Sequence, residues 1–394
     1  MSNNWVRNIM KEITDEVKKV DLQEIRKEID RVDGELLELF EKRMELCSQV
    51  AESKIETGKP VFDRTREQEK LERLKRQAAT PFTEMAAEEL FSQIMSISRK
   101  LQYQILTEKG KEETPEYEMV QSLPMERAKV VFQGVEGAYS FAAMKRFFGK
   151  DVPSFHVRSW KDAMEAIAWG DADYAVLPIE NSTAGIVADI YDLLVEYHHY
   201  IVGEQIVRAE HVLMGLPGTE LSGIRTVYSH PQGLWQCRKF LEQHPDWETV
   251  DFDNTATAAR KVAQDQDKTQ AAIASREAAE HYGLSVLQEG ITSCQSNATR
   301  FIIVSKKKLF LKNAGKISIC FEIPHESGSL YNILSHMIYN NLNMTKIESR
   351  PIPERNWEYR FFVDFEGNLN DSGVKNALRG IEQETKRLRI FGNY

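Results

Sequence analysis

Four short segments decide the fold of the middle of the chain: VVFQG (130–134), FAAMKRFFG (141–149), DYAVLPIE (173–180) and IYDLLVEY (190–197). The first and third are apolar runs of strand length, whereas the second and fourth have the spacing of amphipathic helices. Strands that alternate with helices are typical of an α/β sheet with crossover helices. The alternation continues to about residue 305, so the sequence predicts an α/β domain over residues 128–305.

The regions on either side have a different pattern. Residues 21–108 are almost wholly helical in pattern and rich in Glu, Lys, Arg and Leu, while residues 109–127 are charged, contain two prolines and read as a linker. Beyond a basic boundary, residues 315–394 show the order βαββαβ, which is that of a small α+β ferredoxin-like domain. We therefore predict a multidomain protein with an all-α domain, a linker, an α/β domain and an α+β domain.

Composition narrows the class of function. A chain of 394 residues with a net charge of −9 is too long for one core, and it lacks the basic face of a nucleic-acid binder. It shows neither the apolar region of a signal peptide nor an apolar run that could span a membrane. We expect a cytoplasmic protein with no cofactor and no metal, because the nine histidines lack ligand spacing and the cysteines, widely separated, favour reduced thiols. The four cysteines are Cys47, Cys237, Cys294 and Cys320.

The first long helix, predicted from about Leu22 to Ile55, places charges in an apolar seam. Arg43 occupies a seam position, where an arginine is costly unless it meets an anion. Lys54 lies about 16 Å further along the same face, so the two side chains could grip a small dianion. Arg26 lies about 25 Å from Arg43, so both contact one small molecule only if they come from different subunits. A bundle with interhelical salt bridges explains the seam equally well. The apolar positions are Ile25, Ile29, Val32, Leu36, Leu39, Leu46 and Val50.

Residues 22–106 resemble the all-helical chorismate mutases that dimerise through their long first helix. The similarity lies in LQEIRKEID, FEKRMELCSQVAESK, VFDRTREQEKLERL and LFSQIMSISRKLQYQ. It implies a pericyclic rearrangement of chorismate to prephenate, in which arginines hold the compact conformer and Lys54 and Gln102 donate to the ether oxygen. The implied site is Arg26 (donated to the partner's pocket), Arg43, Lys54, Asp63, Arg66, Glu67, Ser98 and Gln102.

Four polar loops stand out in the α/β region: GVEGAYSFAA (134–143), LPIENSTAG (177–185), YSHPQGLWQC (228–237) and SNATRF (296–301). Each places Ser, Thr, Asn or Gln where a strand meets a helix or loop. Taken singly, each is an ordinary cap or turn. Four of them in one two-lobed α/β unit favour a cleft for a small anion.

Residues 128–305 resemble prephenate dehydratases. The resemblance rests on four motifs: GAYS, PIENS, SHPQ…QC and NxTRF. That family has two lobes, like periplasmic binding proteins, and its site lies in the cleft between them. The resemblance implies loss of hydroxide and carbon dioxide from prephenate to give phenylpyruvate, with Thr299 donating a proton to the leaving hydroxyl. Val135 and Trp235 depart from the usual family residues, and Phe301 is expected in the core. The implied substrate-binding residues are Ser140, Asn181, Ser182, Thr183, Asn297, Thr299 and Arg300.

The C-terminal segments SGSLYNIL and TKIESRP resemble an ACT domain of the type that binds phenylalanine. The resemblance implies an L-phenylalanine site at an interface between two such domains, and feedback inhibition requires its coupling to the dehydratase cleft. A module that serves only dimerisation is the alternative. The implied effector residues are Gly328, Ser329, Leu330, Glu348, Ser349 and Arg350.

The three resemblances, in this order, imply a bifunctional enzyme of phenylalanine biosynthesis that acts on chorismate and prephenate. We expect a homodimer or homotetramer. Two other functions remain: arogenate dehydration, and a non-enzymatic amino-acid sensor that joins a binding cleft to an ACT domain. The mutase-like segment, which would make prephenate, disfavours the first. Thr299 and the charged seam disfavour the second.

Overall fold

The computed structural model describes residues 22–109, 117–293, 297–353, 355 and 357–394. Cys294 and Ser296, the first residue of the SNATRF motif, lie outside the described residues. Two compact units are present. The helical unit comprises the described part of residues 1–112 together with residues 331–340 and 375–384, and the mixed unit comprises the other described residues.

The secondary-structure elements are numbered in chain order. The helices are α1 (Leu22–Thr57), α2 (Arg64–Lys75), α3 (Pro81–Glu108), α4 (Tyr139–Phe148), α5 (Trp160–Trp169), α6 (Ala188–Tyr197), α7 (Pro231–Gln236), α8 (Arg238–Leu241), α9 (Thr255–Asp265), α10 (Arg276–Tyr282), α11 (Ser329–Tyr339) and α12 (Ser372–Glu384). The strands are β1 (Glu118–Val120), β2 (Val130–Gln133), β3 (Ser154–Val157), β4 (Tyr174–Asn181), β5 (Gly185–Ile186), β6 (Tyr200–Arg208), β7 (His211–Gly215), β8 (Thr226–Ser229), β9 (Glu248–Asp251), β10 (Gln270–Ser275), β11 (Ser285–Gln288), β12 (Ala298–Ser305), β13 (Leu309–Leu311), β14 (Lys316–Glu322), β15 (Met344–Pro351), β16 (Tyr359–Glu366) and β17 (Arg387–Asn393).

Local capping interactions mark the ends of the helices in the helical unit. The chain leaves α1 through Gly58, whose positive φ of 69° favours glycine. Asp63 caps α2 by accepting the amide of Arg66, and a Thr80–Thr83 capping box precedes α3. The long first helix is thus confirmed, and its end at Thr57 lies two residues beyond the predicted one.

The same unit includes most of α11 and α12, which cuts across the predicted boundary of the α+β domain. The ring of His336 on α11 packs against Gly380 on α12, where an added Cβ would lie 2.4 Å from the ring. On α3, the hydroxyl of Tyr103 lies 3.2 Å from the amide oxygen of Gln383. Contacts of this kind explain why the two C-terminal helices group with the N-terminal ones.

The mixed unit contains two α/β lobes. The first lobe has a six-stranded sheet with the order β3-β2-β4-β12-β6, and β5 pairs with β4; the second lobe has the order β11-β7-β10-β8-β9. Side chains of the first sheet alternate between two buried clusters, so Val131, Leu177 and Ile302 pack on one face and Phe132 and Ile303 on the other. Burial on both faces explains why these strands read as continuous apolar runs.

Strand β12 brings the chain back to the first lobe and is antiparallel to both β4 and β6. The sheet is therefore mixed, because β2 is parallel to both β3 and β4. Its register places Thr299 directly opposite Asn181 of β4. Phe301 lies on β12 and is buried as expected.

The C-terminal strands form a four-stranded antiparallel sheet with the order β15-β16-β14-β17. The element order β14-α11-β15-β16-α12-β17 is the predicted βαββαβ order. Cys320, Phe362 and Phe391 of this sheet extend the core of the first lobe. Part of the predicted linker is also ordered, because β1 pairs in parallel with β13.

The described residues include no helix that is long and apolar enough to cross a membrane. In the same residues, no group of three or more His, Cys, Asp or Glu side chains is arranged to hold a metal ion.

Candidate active sites

Arg43 lies where α1 packs against α3. Its guanidinium donates to the hydroxyl of Ser98 and, at 3.4 Å, to the carbonyl oxygen of Ile94. In the part of the chain that the structure describes, no carboxylate lies within ion-pair distance of Arg43. Both acceptors are neutral, so the positive charge is not compensated inside the unit and favours an anionic ligand.

Lys54 and Lys70 add positive charge near Arg43. Lys54 donates to the carbonyl oxygen of Val61 at 2.6 Å, which is again a neutral acceptor. Burial lowers the pKa of Lys54. Burial and the charge of Arg43 lower the pKa of Lys70, on α2. Three partly buried cations lie at the junction of α1 with its neighbours, and the carboxylates of Asp63 and Glu67 also act on Lys54. We treat this region as a candidate electropositive pocket, because its positive charge favours a small dianion.

The two carboxylates predicted for this pocket have other contacts. Asp63 serves as the N-cap of α2, accepting the amide of Arg66 at 3.1 Å, and the Arg66 side chain is exposed. Glu67 accepts a hydrogen bond from Arg99 on α3. Arg99 also pairs with Glu384 of α12 at 2.7 Å, and its side chain is only 6% exposed. Arg99 therefore fixes the position of Glu67 within the helical unit.

Ser98 and Gln102 are buried one turn apart on α3. Ser98 donates to the carbonyl of Ile94 at 2.6 Å and accepts from Arg43. The amide nitrogen of Gln102 donates to the carbonyl of Ser98 at 3.1 Å, and its Oε1 is buried without a partner among the described residues. The amide nitrogen carries a second N–H, so Gln102 remains a candidate donor to a substrate oxygen.

Arg26 is exposed on α1, within the apolar seam predicted from the sequence. The seven apolar seam residues are 42 to 65% exposed in the single chain. The exposed stripe extends along most of a helix of 36 residues.

Thr299 and Asn181 form the centre of a polar cluster in the mixed unit. The Nδ2 of Asn181 donates to the hydroxyl of Thr299 and to the Oδ1 of Asn297, both at 2.9 Å. The Oδ1 of Asn181 accepts the amides of Thr183 and Ala184 at 3.0 and 2.9 Å, which holds the ENSTAG loop. Asn297 is buried, and its Nδ2 has no partner among the described residues.

A line of hydrogen-bonded side chains, of which His211 and Gln236 are buried, extends the cluster into the second lobe. The Nε2 of Gln236 lies 3.4 Å from the hydroxyl of Thr183, and its Oε1 lies 2.8 Å from the Nε2 of His211. The Nδ1 of His211 lies 2.9 Å from the hydroxyl of Tyr139. Burial lowers the pKa of His211. Gln236 and His211 belong to the second lobe and the other residues to the first, so hydrogen bonds of the cluster join the two lobes.

The other two predicted serines have local partners. Ser140, near the start of α4, donates to the carbonyl of Gln133 at 2.6 Å. Ser182 accepts the amide of Ala298 at 3.0 Å, which extends the pairing between β4 and β12. Both serines support the backbone that carries the cluster.

Arg300 is not part of the cluster, so the structure does not support its predicted contact with substrate. It follows Thr299 on a strand, where neighbouring side chains point to opposite faces. Its guanidinium pairs with Glu180 at 3.2 Å, Glu204 at 3.3 Å and Asp364 at 3.0 Å. Arg300 thus links β12 to β16 of the C-terminal sheet.

The residues predicted to bind phenylalanine lie at two places in the C-terminal region. Gly328, with φ of 78°, precedes Ser329 and Leu330 at the start of α11. Glu348 and Arg350 lie on the half-buried face of β15, and Ser349 points to the exposed face. Arg350 pairs with Asp192 of α6, with Nε and Oδ1 3.0 Å apart, so its charge is compensated in this structure.

Comparison with known proteins decides the family. Residues 25–103 match the family model of chorismate mutase type II, and residues 130–309 match that of prephenate dehydratase. The bifunctional chorismate mutase/prephenate dehydratase of Escherichia coli K12 is 32% identical over 376 residues, covering 94% of this chain and 95% of that protein. The chain belongs to the bifunctional chorismate mutase/prephenate dehydratase family. It is therefore an enzyme of phenylalanine biosynthesis with both activities.

Two further relatives each match about two thirds of this chain. The prephenate dehydratase of Arthrobacter aurescens, solved in complex with L-Phe, has a TM-score of 0.62 and 31% identity, and covers 68% of this chain and 89% of that one. Arogenate dehydratase 3 of Arabidopsis thaliana is 37% identical over 288 residues, covering 68% of this chain and 66% of that protein.

Several residues of these sites were missed by sequence reasoning. Arg99 is one of many charged residues on α3, and only the approach of α12 makes it a buried partner of Glu67. His211 and Tyr139 come from different lobes, so no local pattern connects them. Gln236 lies in the SHPQ…QC motif, which could have identified it, whereas no motif contains its partner His211.

Proposed function

We propose that the rearrangement of chorismate takes place in the electropositive pocket of the helical unit, and that dehydration takes place at the Thr299 cluster. The observation that supports the first site most strongly is the pair of cations, Arg43 and Lys54, that bond neutral acceptors and are free to bind a dianion. The second site is supported by Thr299, whose oxygen accepts a hydrogen bond from Asn181.

In the mutase site, the protein contributes positioning and charge. Arg43 binds a substrate carboxylate, and this holds chorismate in the compact conformer from which the new C–C bond forms. Lys54 donates to the ether oxygen, where negative charge grows as the C–O bond breaks. Glu67, held by Arg99, orients the substrate hydroxyl.

The exposed seam of α1 supports a homodimer in which Arg26 reaches the pocket of a second copy. An apolar stripe of this length is rarely left in water by a monomer. A two-fold axis across α1 would also place Arg26 close to Arg43 of the other chain, which one chain cannot do because the two lie about 25 Å apart.

Complementation between variants tests the shared pocket. Arg26→Ala and Arg43→Ala homodimers should each lack mutase activity. After the two chains are mixed and refolded together, half of the dimers are mixed and each has one intact pocket, so about a quarter of wild-type activity should return. Failure to recover activity, with mixed dimers demonstrated by differently tagged chains, would contradict a shared pocket.

In the dehydratase site, Thr299 donates its proton toward the hydroxyl that leaves prephenate. A threonine hydroxyl is a weak acid, so it acts by a well-placed hydrogen bond while carbon dioxide departs and the ring becomes aromatic. The unpartnered Nδ2 of Asn297 is a buried donor beside Thr299 and is suited to a substrate carboxylate. Water and phenylpyruvate are the products, with carbon dioxide.

The arogenate dehydratase of Arabidopsis supports a second substrate candidate for this site. Arogenate differs from prephenate in carrying an amino group on its side chain. We place prephenate first because the mutase activity of the same chain supplies it, and the ratio of kcat/KM values for the two substrates decides between them.

The C-terminal sheet with α11 and α12 is proposed to be an ACT domain that binds L-phenylalanine and inhibits dehydration. The Arthrobacter dehydratase, whose complex with L-Phe is known, supports this. Gly328 and the Glu348–Arg350 segment are the candidate effector residues. An ion pair connects β15 to the dehydratase site, because Lys346 pairs at 3.0 Å with Glu180, the residue before Asn181. We infer that this ion pair transmits the effect of bound phenylalanine.

A Lys346→Met variant tests this route. Lys346 and Arg350 bond Glu180 and Asp192, which flank the loop of Asn181 on both sides. Loss of the first contact should raise the phenylalanine concentration for half-inhibition about 10-fold, a usual size for coupling between sites, with phenylalanine binding retained. Calorimetric titration and a prephenate assay measure the two effects.

Lys386→Met is the matched control, because Lys386 pairs with Glu358 inside the C-terminal region, 3.1 Å away. It should leave inhibition unchanged. Unaltered inhibition in Lys346→Met would exclude this route, and absence of phenylalanine binding by the wild-type chain would instead refute the effector site.

A further inference from the structure

His211 is a buried polar residue to which none of the steps above gives a role. It lies on β7 of the second lobe and is only 4% exposed. Its two ring nitrogens face Gln236 and Tyr139. A neutral imidazole donates from one nitrogen and accepts at the other, so the hydrogen-bonded neighbours determine which tautomer is present.

At the Asn181 end of the cluster, backbone amides set the direction of the hydrogen bonds. Two main-chain amides, of Thr183 and Ala184, can only donate, and both point to the same atom of Asn181. That atom must be the oxygen Oδ1, so Nδ2 must face Thr299 and Asn297. The hydroxyl oxygen of Thr299 is therefore an acceptor of this bond.

This constraint passes to Thr183. Its hydroxyl lies 2.8 Å from the Oδ1 of Asn181 and 3.2 Å from the Oδ1 of Asn297. Both neighbours are acceptors, so Thr183 must donate its hydroxyl proton to them. Its oxygen is then left to accept from Gln236, which requires the Nε2 of Gln236 to face Thr183.

The same logic determines the state of His211. With Nε2 turned to Thr183, Gln236 presents its Oε1 to the imidazole, so the Nε2 of His211 must carry a proton. The Nδ1 of the neutral ring is then bare and accepts the hydroxyl proton of Tyr139. Burial favours the neutral ring by lowering its pKa. Every bond from Tyr139 to Thr299 therefore runs in one direction.

We propose that His211, as the Nε2–H tautomer held by Tyr139, is a positioning residue for the dehydration. The orientation of Asn181 is set by the backbone amides, and His211 acts on position: it holds Gln236, whose Nε2 holds the Thr183 hydroxyl in the cluster that contains Asn181 and Thr299. In the described residues no acceptor takes the Thr299 proton, so this proton remains available for the leaving hydroxyl of the substrate. The proposal rests on the role of Thr299 proposed above.

Two substitutions of His211 separate positioning from packing. The amide of glutamine reaches about as far as the Nε2 of histidine, so His211→Gln can still donate to Gln236. The amide of asparagine reaches only as far as Nδ1, so His211→Asn loses that bond. Misplacement of this kind costs on the order of 10- to 100-fold in rate, so kcat for prephenate should fall by that factor in His211→Asn. It should stay within about threefold of wild type in His211→Gln, and KM should change little in both.

His199→Asn is the matched control. His199 is also buried, at 2% exposure, and its Nε2 lies 3.0 Å from the carbonyl oxygen of Met164, outside the cluster. The control should lower the melting temperature without lowering kcat. Equal kcat values for His211→Asn and His211→Gln, or a fully active His211→Asn, would overturn the proposal.

The tautomer of His211 can also be measured by NMR in the wild-type chain, so the proposal stays testable even if the variants do not fold. With 15N-labelled histidine, His211 should show a protonated Nε2 and a bare Nδ1 at neutral pH, and Tyr139→Phe should weaken this preference. A protonated Nδ1 in the wild-type chain would overturn the proposal. Assay of Thr299→Val in parallel keeps the two hypotheses apart, because an active Thr299→Val refutes the role of Thr299 itself.

Discussion

Replacing Arg43 by alanine should abolish the rearrangement of chorismate and leave the dehydration of added prephenate intact. Among the described residues, Arg43 is a seam cation whose hydrogen-bond partners are neutral: the hydroxyl of Ser98, the carbonyl of Ile94 and the thiol of Cys47. Without it, one substrate carboxylate loses its counter-charge in a partly buried pocket. Loss of a positioned donor of this kind costs on the order of 10²- to 10³-fold, and the missing charge adds to it. Separate assays with chorismate and prephenate measure the effect.

Arg31→Ala provides the control on the same helix. Arg31 pairs with Glu28 and Glu35 on the exposed surface of α1, away from the pocket. This variant should retain both activities. Loss of both activities in Arg43→Ala, with the fold retained, would contradict two separate sites.

Replacing Thr299 by valine should abolish dehydration and leave the mutase activity intact. Valine has nearly the shape of threonine, so the change removes the hydroxyl and its bond from Asn181 with little loss of packing. Without the proton donor the rate should fall on the order of 10²- to 10⁴-fold, the usual contribution of a general acid. With chorismate as the only substrate, the variant should accumulate prephenate.

The matched control is Thr269→Val in the second lobe. The Thr269 hydroxyl donates to Asp267 at 2.8 Å in an exposed turn, and it has no hydrogen bond to the Thr299 cluster among the described residues. Dehydration should be unaffected in this variant. A fully active Thr299→Val would remove Thr299 from the mechanism and transfer the role of donor to another group.

Much of the fold could be predicted from local sequence patterns. The seam of α1, the strand–helix alternation after residue 128 and the βαββαβ order are all short-range features, and all three are present. The antiparallel setting of β12 was not predictable, because it depends on the chain leaving the first lobe after β6 and returning after β11. The grouping of α11 and α12 with the N-terminal helices likewise depends on contacts between distant segments.

The candidate sites show the same division. Motif positions such as Asn181 and Thr299 were identified from the sequence, and the structure brings them within hydrogen-bond distance. Arg300 was assigned to the same site as part of the NxTRF motif, although strand alternation sends its side chain to the face opposite that of Thr299. His211 and Arg99 escaped notice because their partners come from other lobes or helices.

The central claim, that one chain carries out both reactions at separate sites, is tested most directly by a time course with chorismate as the only substrate. The purified wild-type chain should consume chorismate, accumulate prephenate transiently and then release phenylpyruvate. Consumption of chorismate that stops at prephenate, or conversion of added prephenate without any consumption of chorismate, would contradict the account.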